Sequence, residues 1–385
     1  MVLAMLCAFA PLATDMYLPA FAQMAQAYHT DQGRIEATLS TFFLGLAVGQ
    51  AIWGPTIDSF GRKWPLMLGV LLFAVATLGC LLTRDIDVFT GLRFLQAMGG
   101  CAGMIIGRTI VHDLHEPRES ARALSLMMML MTLAPIVAPL LGGWIIATIN
   151  WQAIFFVLLA FAALCAYLVW RMVPETLPRE RRTPLNFGSV FRAYGALLRR
   201  PGFLVPALAG GLVQSCMFAF ITGSPFVFMG RFGFSEQEYS WVFGATAFGL
   251  MVGAQANRIA LRHLQVPTIL AAALCFNLAA AAVLVMVANT QHALVMMVPL
   301  WLVVASLGLV GGNATALAMM ASGQYAGVAS GLVGILQFSC AFAVSSLMAA
   351  AQNGTAYPMT VAMLTVSVLG ACLWFGGARW RRQKH

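Results

Sequence analysis

Apolar residues run along this chain in long continuous stretches, at roughly 2–27, 37–57, 65–82, 88–111, 122–147, 152–173, 203–229, 238–260, 267–288, 293–318, 325–350 and 356–378. Each has the length a helix needs to cross about 30 Å of hydrocarbon. A membrane β-barrel would instead show short segments of alternating polarity. A helix also closes its own backbone hydrogen bonds, which lipid requires. The pattern therefore predicts an all-α membrane protein with 12 transmembrane helices. The polar breaks are short except at 174–200, which holds Pro174, Pro178 and Pro184 among many Arg. That break divides the chain into a six-helix bundle at 1–173, a linker at 174–200 and a second six-helix bundle with a short basic tail at 201–385.

Composition agrees. Of 385 residues, 61% are hydrophobic and 9% charged, against about 45–50% and about 25% in soluble domains. A water-soluble domain, a disordered chain and a nucleic-acid binder are excluded. The net charge of +9 is then a question of topology. Odd-to-even loops carry Arg34, Arg84 and Arg231, whereas the opposite side carries Arg62, Lys63, Arg108, Arg118, Arg122, Arg171, the linker arginines, Arg258, Arg262 and the tail's Arg379, Arg381, Arg382 and Lys384. The positive-inside rule puts both termini and the linker in the cytoplasm. The first stretch is a span rather than a signal peptide, because no basic residue precedes it and Asp15 interrupts it. The eight cysteines lie in apolar stretches without metal or redox spacing; they are expected to be small buried hydrophobes, and no metal is expected.

The halves repeat. Gly45-Leu46-Ala47-Val48-Gly49 matches Gly249-Leu250-Met251-Val252-Gly253, and Pro19 with Phe21 matches Pro225 with Phe226. The shared offset of about 205 predicts two pseudo-symmetric six-helix bundles, an arrangement typical of secondary transporters.

Two charged residues carry the chemistry inside the spans. Asp15 is the acidic residue placed well inside a span, the others being read as loop or helix-end residues. A carboxylate at that depth costs about 2.5–3.5 kcal/mol, so it marks a polar cavity or a protonation site. The alternative is a helix-end residue in a shifted span. Pro11 and Pro19 predict a bend around it. Arg93 is the basic counterpart, a fixed charge placed to hold Asp15 ionised, with Gln96 one turn away; its alternative is snorkelling to the interface. Between spans 2 and 3 the chain reads Gly54-Pro55-Thr56-Ile57-Asp58-Ser59-Phe60-Gly61-Arg62-Lys63. Gly54 is expected to allow close helix contact and Gly61 a tight turn. Asp58 is placed to cap a helix or accept from a basic side chain, and Arg62 to bridge to Asp113.

This segment resembles the loop 2–3 signature of the major facilitator superfamily. Thr14-Asp15-Met16-Tyr17-Leu18-Pro19-Ala20 resembles the span 1 signature of its drug/proton antiporters, in the bicyclomycin-resistance (Bcr/CflA) branch. Leu92-Arg93-Phe94-Leu95-Gln96 resembles the span 4 motif, Ala134-Pro135 with Pro139-Leu140-Leu141-Gly142-Gly143 the span 5 antiporter motif, and Pro174-Glu175-Thr176-Leu177 the end of span 6. The chain departs from the family in lacking the usual tail before span 1, and Val137-Ala138 replaces the usual Gly in the span 5 motif.

The resemblance implies roles. Asp15 is the proton-coupling carboxylate and Arg93 the arginine that tunes it. Asp58, Arg62 and Asp113, with Gly54, Gly61 and Lys63, form a cytoplasmic latch. Pro135, Pro139, Gly142 and Gly143 form a bent interface that limits leak. Tyr17, Gln50, Gln96, Met131, Phe218 and Asn313 are candidates for a substrate cavity. The expected function is proton-coupled efflux of small drugs across the inner membrane by alternating access, with bicyclomycin, phenicol or sulfonamide-like antibiotics suggested by the branch. Protons are the coupling ion, no other cofactor is expected, and the partners are the drug and membrane lipid around a monomer. The alternative is a proton-coupled importer or uniporter of a small metabolite on the same fold. An intramembrane enzyme is disfavoured because the spans lack paired catalytic groups.

Overall fold

A computed structural model describes residues 2–114, 116–182 and 184–377. The tail residues Arg379, Arg381, Arg382 and Lys384, and the side chains of Arg118 and Arg122, lie outside the described residues.

The first span is broken as the prolines predict. It comprises α1 (Val2–Cys7), α2 (Phe9–Asp15), a 3-10 turn at Leu18–Ala20 and α3 (Phe21–Ala27). Pro19 has no N–H to give the Asp15 carbonyl, and its ring crowds that oxygen, so the helix stops there. The chain tightens instead, and Ala20 N–H donates to the Tyr17 carbonyl at 2.9 Å. Five spans follow with a linker helix after them: α4 (Gln32–Phe60), α5 (Lys63–Leu82), α6 (Ile86–Leu114), α7 (Pro117–Thr148), α8 (Gln152–Met172) and the linker's α9 (Phe187–Leu198). The second set is α10 (Pro201–Pro225), α11 (Glu236–Ala260), α12 (Val266–Met286), α13 (Ala293–Met320), α14 (Ala326–Ala350) and α15 (Tyr357–Gly376). At the proline matching Pro19 the chain widens: Pro225 leads into a π-helix at Phe226–Arg231.

Eleven of these spans are long and apolar enough to cross a membrane among the described residues. The expected twelfth, α11, has 25 residues, but Glu236, Gln237 and Glu238 at one end and Gln255, Asn257 and Arg258 at the other shorten its apolar centre.

The chain forms two compact units, residues 1–190 and 191–385. Each uses the same scheme of helix contacts. In the first, α6 packs on α4, α5 and α1, α8 packs on α5, and α7 packs on α1 and α2. In the second, α13 packs on α11, α12 and α10, α15 packs on α12, and α14 packs on α10. The matched glycines lie in matched seams. A Cβ on Gly45 would overlap the Phe94 carbonyl, and one on Gly49 would stand 2.8 Å from the Cys101 Cβ. On Gly249 it would stand 2.9 Å from the Trp301 ring nitrogen, and on Gly253 it would overlap the Ala305 carbonyl. Cys101 and Ala305 lie the same number of residues beyond their glycines, so the pseudo-symmetry extends to individual contacts.

Five cysteines are buried as expected, but Cys275 and Cys372 are exposed on helix surfaces and Cys340 is half-buried. An apolar stretch has a lipid-facing side as well as a packed one, and sequence alone does not separate them.

Candidate functional site

Asp15 closes α2 and is 2% exposed. Its carboxylate accepts from the Thr14 hydroxyl at 2.8 Å, and the same hydroxyl lies 2.9 Å from the Ala10 carbonyl and 3.1 Å from that of Pro11. Asp15 is thus a buried acid at a helix break, four residues before a proline that has no N–H to give its carbonyl.

Arg93, in α6, is fully buried. No ion pair joins it to Asp15 among the described residues. Its guanidinium is committed elsewhere. One amino group donates to the Ala13 carbonyl at 2.8 Å and the other to the Gln96 side chain. The plane lies 4.3 Å over the Tyr17 ring and 4.4 Å over the Phe42 ring. Such desolvated cation–π contacts are worth about 2 kcal/mol. Arg93 therefore grips the residues two before and two after Asp15. Its Nε–H has no hydrogen-bond partner among the described residues. Gln96 passes the network on, donating to Thr77 in α5 at 2.7 Å. Tyr17 shares a hydrogen bond of 3.2 Å with Thr38 in α4.

Of the cavity candidates, Tyr17 and Gln96 belong to this buried cluster. The others lie elsewhere. Met131 sits 3.6 Å from an Arg108 nitrogen, Gln50 is half-buried, Phe218 lies against Phe338 at 5.8 Å, and Asn313 donates to Asn257 at 2.7 Å. Tyr17 and Gln96 are completely buried, so they support the Arg93 cluster rather than line an open surface.

The α4–α5 loop forms the second constellation. Arg62 Nε–H donates to Asp113 at 3.1 Å, and its Nη1 donates to Asp58 at 3.0 Å and to the Ile57 carbonyl at 2.6 Å. Thr176 donates to the same Asp113 oxygen at 2.7 Å. Glu175 completes the loop's seat, accepting from the Arg62 and Lys63 backbone N–H groups at 2.8 and 3.3 Å and facing Arg182 at 3.6 Å. Burial alone would raise the Glu175 carboxyl, but the backbone donors of Arg62, Leu177 and Lys63, together with Arg182, hold it below the usual carboxylate range. Lys63 caps α8 by donating to the Trp170 carbonyl at 2.9 Å. Gly61 has φ of 93°, and a Cβ there would stand 2.7 Å from the Glu175 carboxyl carbon. Glycine is required on both counts. Gly54 differs from its expected role: no atom lies within 4 Å of where its Cβ would be. Close packing along α4 falls instead to Gly45 and Gly49.

In the span 5 motif, Pro135 and Pro139 lie inside α7. Gly142 meets the first span, because a Cβ on it would overlap the Met16 carbonyl. Gly143 beside it is buried. The glycine thus lets α7 press on the break that carries Asp15.

The sequence reading overlooked Glu36. It is completely buried in α4 rather than standing at an exposed helix end. It stands four positions into a helix that opens Gln32-Gly33-Arg34, and that polar start hid it. The residues holding Arg93, namely the Ala13 carbonyl and Thr77, also had no sequence signal beyond helical spacing.

The Major Facilitator Superfamily profile matches residues 3–346. The chain is 32% identical over 377 residues to "Uncharacterized MFS-type transporter YdgK" of Bacillus subtilis (strain 168), covering 97% of this chain and 94% of that one. It is 30% identical over 364 residues to "Bicyclomycin resistance protein homolog" of Haemophilus influenzae, covering 94% and 90%. Among solved structures, a D-xylose-proton symporter aligns with a TM-score of 0.74 at 14% identity, covering 97% of this chain and 96% of that one. That last likeness speaks to the fold alone.

Proposed function

Because this chain belongs to the major facilitator superfamily, and is a multi-pass membrane transporter rather than an enzyme, we propose that it exports small drugs or antibiotics across the bacterial inner membrane in exchange for protons. The observation that carries the reading is Asp15, a buried acid at a helix break with a neutral hydroxyl as its hydrogen-bond partner among the described residues. A relative named for bicyclomycin resistance supports drug as the substrate class.

In this reading Asp15 exchanges a proton for drug. Ionised, it carries a charge that burial makes costly; protonated, it gains a donor and loses that charge. Arg93 is a positioning residue. It fixes Ala13 and Tyr17 on either side, so the change at Asp15 acts on a clamped turn. Gly142 lets α7 contact the same turn, which gives that change a route to a second helix. Arg62, Asp58, Asp113 and Glu175 hold the cytoplasmic loop as a latch, with both termini on that side. Alternating access then couples drug exit to proton entry, and one elementary charge moved across 100 mV supplies about 2.3 kcal/mol.

The test is antibiotic susceptibility of an efflux-deficient bacterium expressing wild type or Asp15→Asn at matched membrane levels. Resistance lost in the mutant supports the reading. Proton-dependent export that survives Asp15→Asn removes Asp15 from the coupling step.

A further inference from the structure

Thr14 faces more acceptors than it can serve. A hydroxyl has one proton to donate and two lone pairs with which to accept. The Thr14 oxygen lies 2.8 Å from an Asp15 carboxylate oxygen, 2.9 Å from the Ala10 carbonyl and 3.1 Å from the Pro11 carbonyl. All three are acceptors while Asp15 is ionised, so they compete for the one proton. Both side chains are buried. The carboxylate wins the competition, because a hydrogen bond to an ionised acceptor is about twice as strong as a neutral one. Protonation of Asp15 reverses the pair. The neutral carboxyl has an O–H to donate, and the Thr14 oxygen has a lone pair to receive it. The Thr14 proton then goes to the Ala10 carbonyl. Hydrogen bonds run from Thr14 to Asp15 in one state, and from Asp15 through Thr14 to Ala10 in the other, with a single proton added. Every bond in either state is already at hydrogen-bond length.

We propose that Thr14 is the positioning residue that turns protonation of Asp15 into a change of backbone hydrogen bonding in α2. The proposal rests on the reading of Asp15 as the proton carrier. A threonine hydroxyl bonded to the carbonyl four residues back bends its helix. Here α2 has only seven residues and ends at Asp15, so the bond from Thr14 to Ala10 spans most of it. The bend is passed on to α6 and α7, which both pack on α2. The other titratable and charged groups on the helices around α2 are committed elsewhere or distant. On α6, Arg93 is held by Ala13 and Gln96, Arg108 lies against Met131, Asp113 is bound by Arg62 and Asp87 pairs with Arg34. The Cys7 thiol of α1 points at the Gly103 carbonyl. Arg118, Glu119 and Arg122 open α7, at the other end from Gly142.

The test is infrared difference spectroscopy of the purified full-length protein, stepped between alkaline and acid buffer without drug. The carboxyl C=O band of Asp15 is the one missing from Asp15→Asn. Thr14→Val keeps the side-chain shape but lacks the hydroxyl. It should move that band to higher frequency, because the carboxyl O–H has lost its acceptor. Thr14→Ser should leave the band in place. Thr14→Val should also lose on the order of tenfold in proton-driven antibiotic export, and Thr14→Ser should retain most of it. If Thr14→Val does not accumulate in the membrane, Thr14→Ala supplies the same spectrum. An Asp15 band at the wild-type position in the hydroxyl-free variant overturns the proposal and leaves Asp15 as the proton carrier. If no band disappears in Asp15→Asn, the efflux reading of Asp15 falls and the proposal falls with it.

Discussion

Among the described residues, four charged side chains are buried in the first unit, Asp15, Glu36, Arg62 and Arg93, whereas in the second every buried polar side chain is neutral. The helix contacts of the two units correspond, and their glycine seams match residue for residue. In the register that aligns Gly49 with Gly253, the place of Arg93 is taken by Met297. Where the first unit joins α5 to α6 through Thr77, Gln96 and Arg93, the second joins α12, α13 and α15 through Asn277, which donates to Ser306 at 2.8 Å and accepts from Ser367 at 2.6 Å. The loop matching the Arg62 latch, at 261–265, is exposed throughout. The two units thus share their packing but not their buried charge. The lesson is that scaffold and buried charge separate along the chain: the two units share a scheme of helix contacts, and the buried charged side chains among the described residues lie in the first.

The sharpest way to break this comparison is to make the first unit like the second. Arg93→Met, the second unit's residue, should cost about 3 kcal/mol of stability from lost cation–π contacts and charged hydrogen bonds, read as thermal unfolding in detergent. Arg93→Lys should recover little, because an ammonium lacks the planar fork that reaches Ala13 and Gln96 together. If Arg93→Met melts like wild type, the clamp around Asp15 is not structural.

A smaller effect is expected at the α7 contact. Gly142→Ala should cost about 1–3 kcal/mol, since its Cβ meets the Met16 backbone. Gly54→Ala should stay within about 0.5 kcal/mol, because its Cβ meets open space. Similar losses at both glycines would contradict the packing described.

Within the second unit, Asn277→Ala should cost about 1–2 kcal/mol by removing its hydrogen bonds with Ser306 and Ser367. It should leave the pH dependence of transport unchanged, and a shift in that dependence would place coupling chemistry in both units. The smallest effect concerns Glu175. Its folded-state carboxyl lies below the usual range, so it stabilises the latch above its unfolded pKa, and the stabilisation is lost as pH falls through the folded pKa. Glu175→Gln should remove that acid-side slope in a melting-temperature series from pH 7 downward, with little change at the neutral end beyond a weakened latch.

Much of this was legible from residue order. Twelve apolar stretches, Pro19 four residues after Asp15, and the Gly-Arg-Lys loop each act locally, through helix length, a missing N–H and a left-handed turn. Arg62 meets Asp113 as its spacing suggested. The remainder depends on where a helix faces. Glu36 is buried because of the rotation of α4, Gly54 looks onto open space for the same reason, and Arg93 bonds to Ala13 because a guanidinium also takes backbone carbonyls, which leave no mark in sequence. The helix α9 was hidden by the prolines and arginines on either side of it, which read as linker.

The most direct measurement is proton release on drug binding. Purified wild type in weakly buffered detergent solution, with a pH indicator, should release protons when a transported antibiotic is added. Asp15→Asn should bind the same antibiotic and release none. Equal release from both proteins would show that another group carries the exchanged proton and would contradict the role given to Asp15.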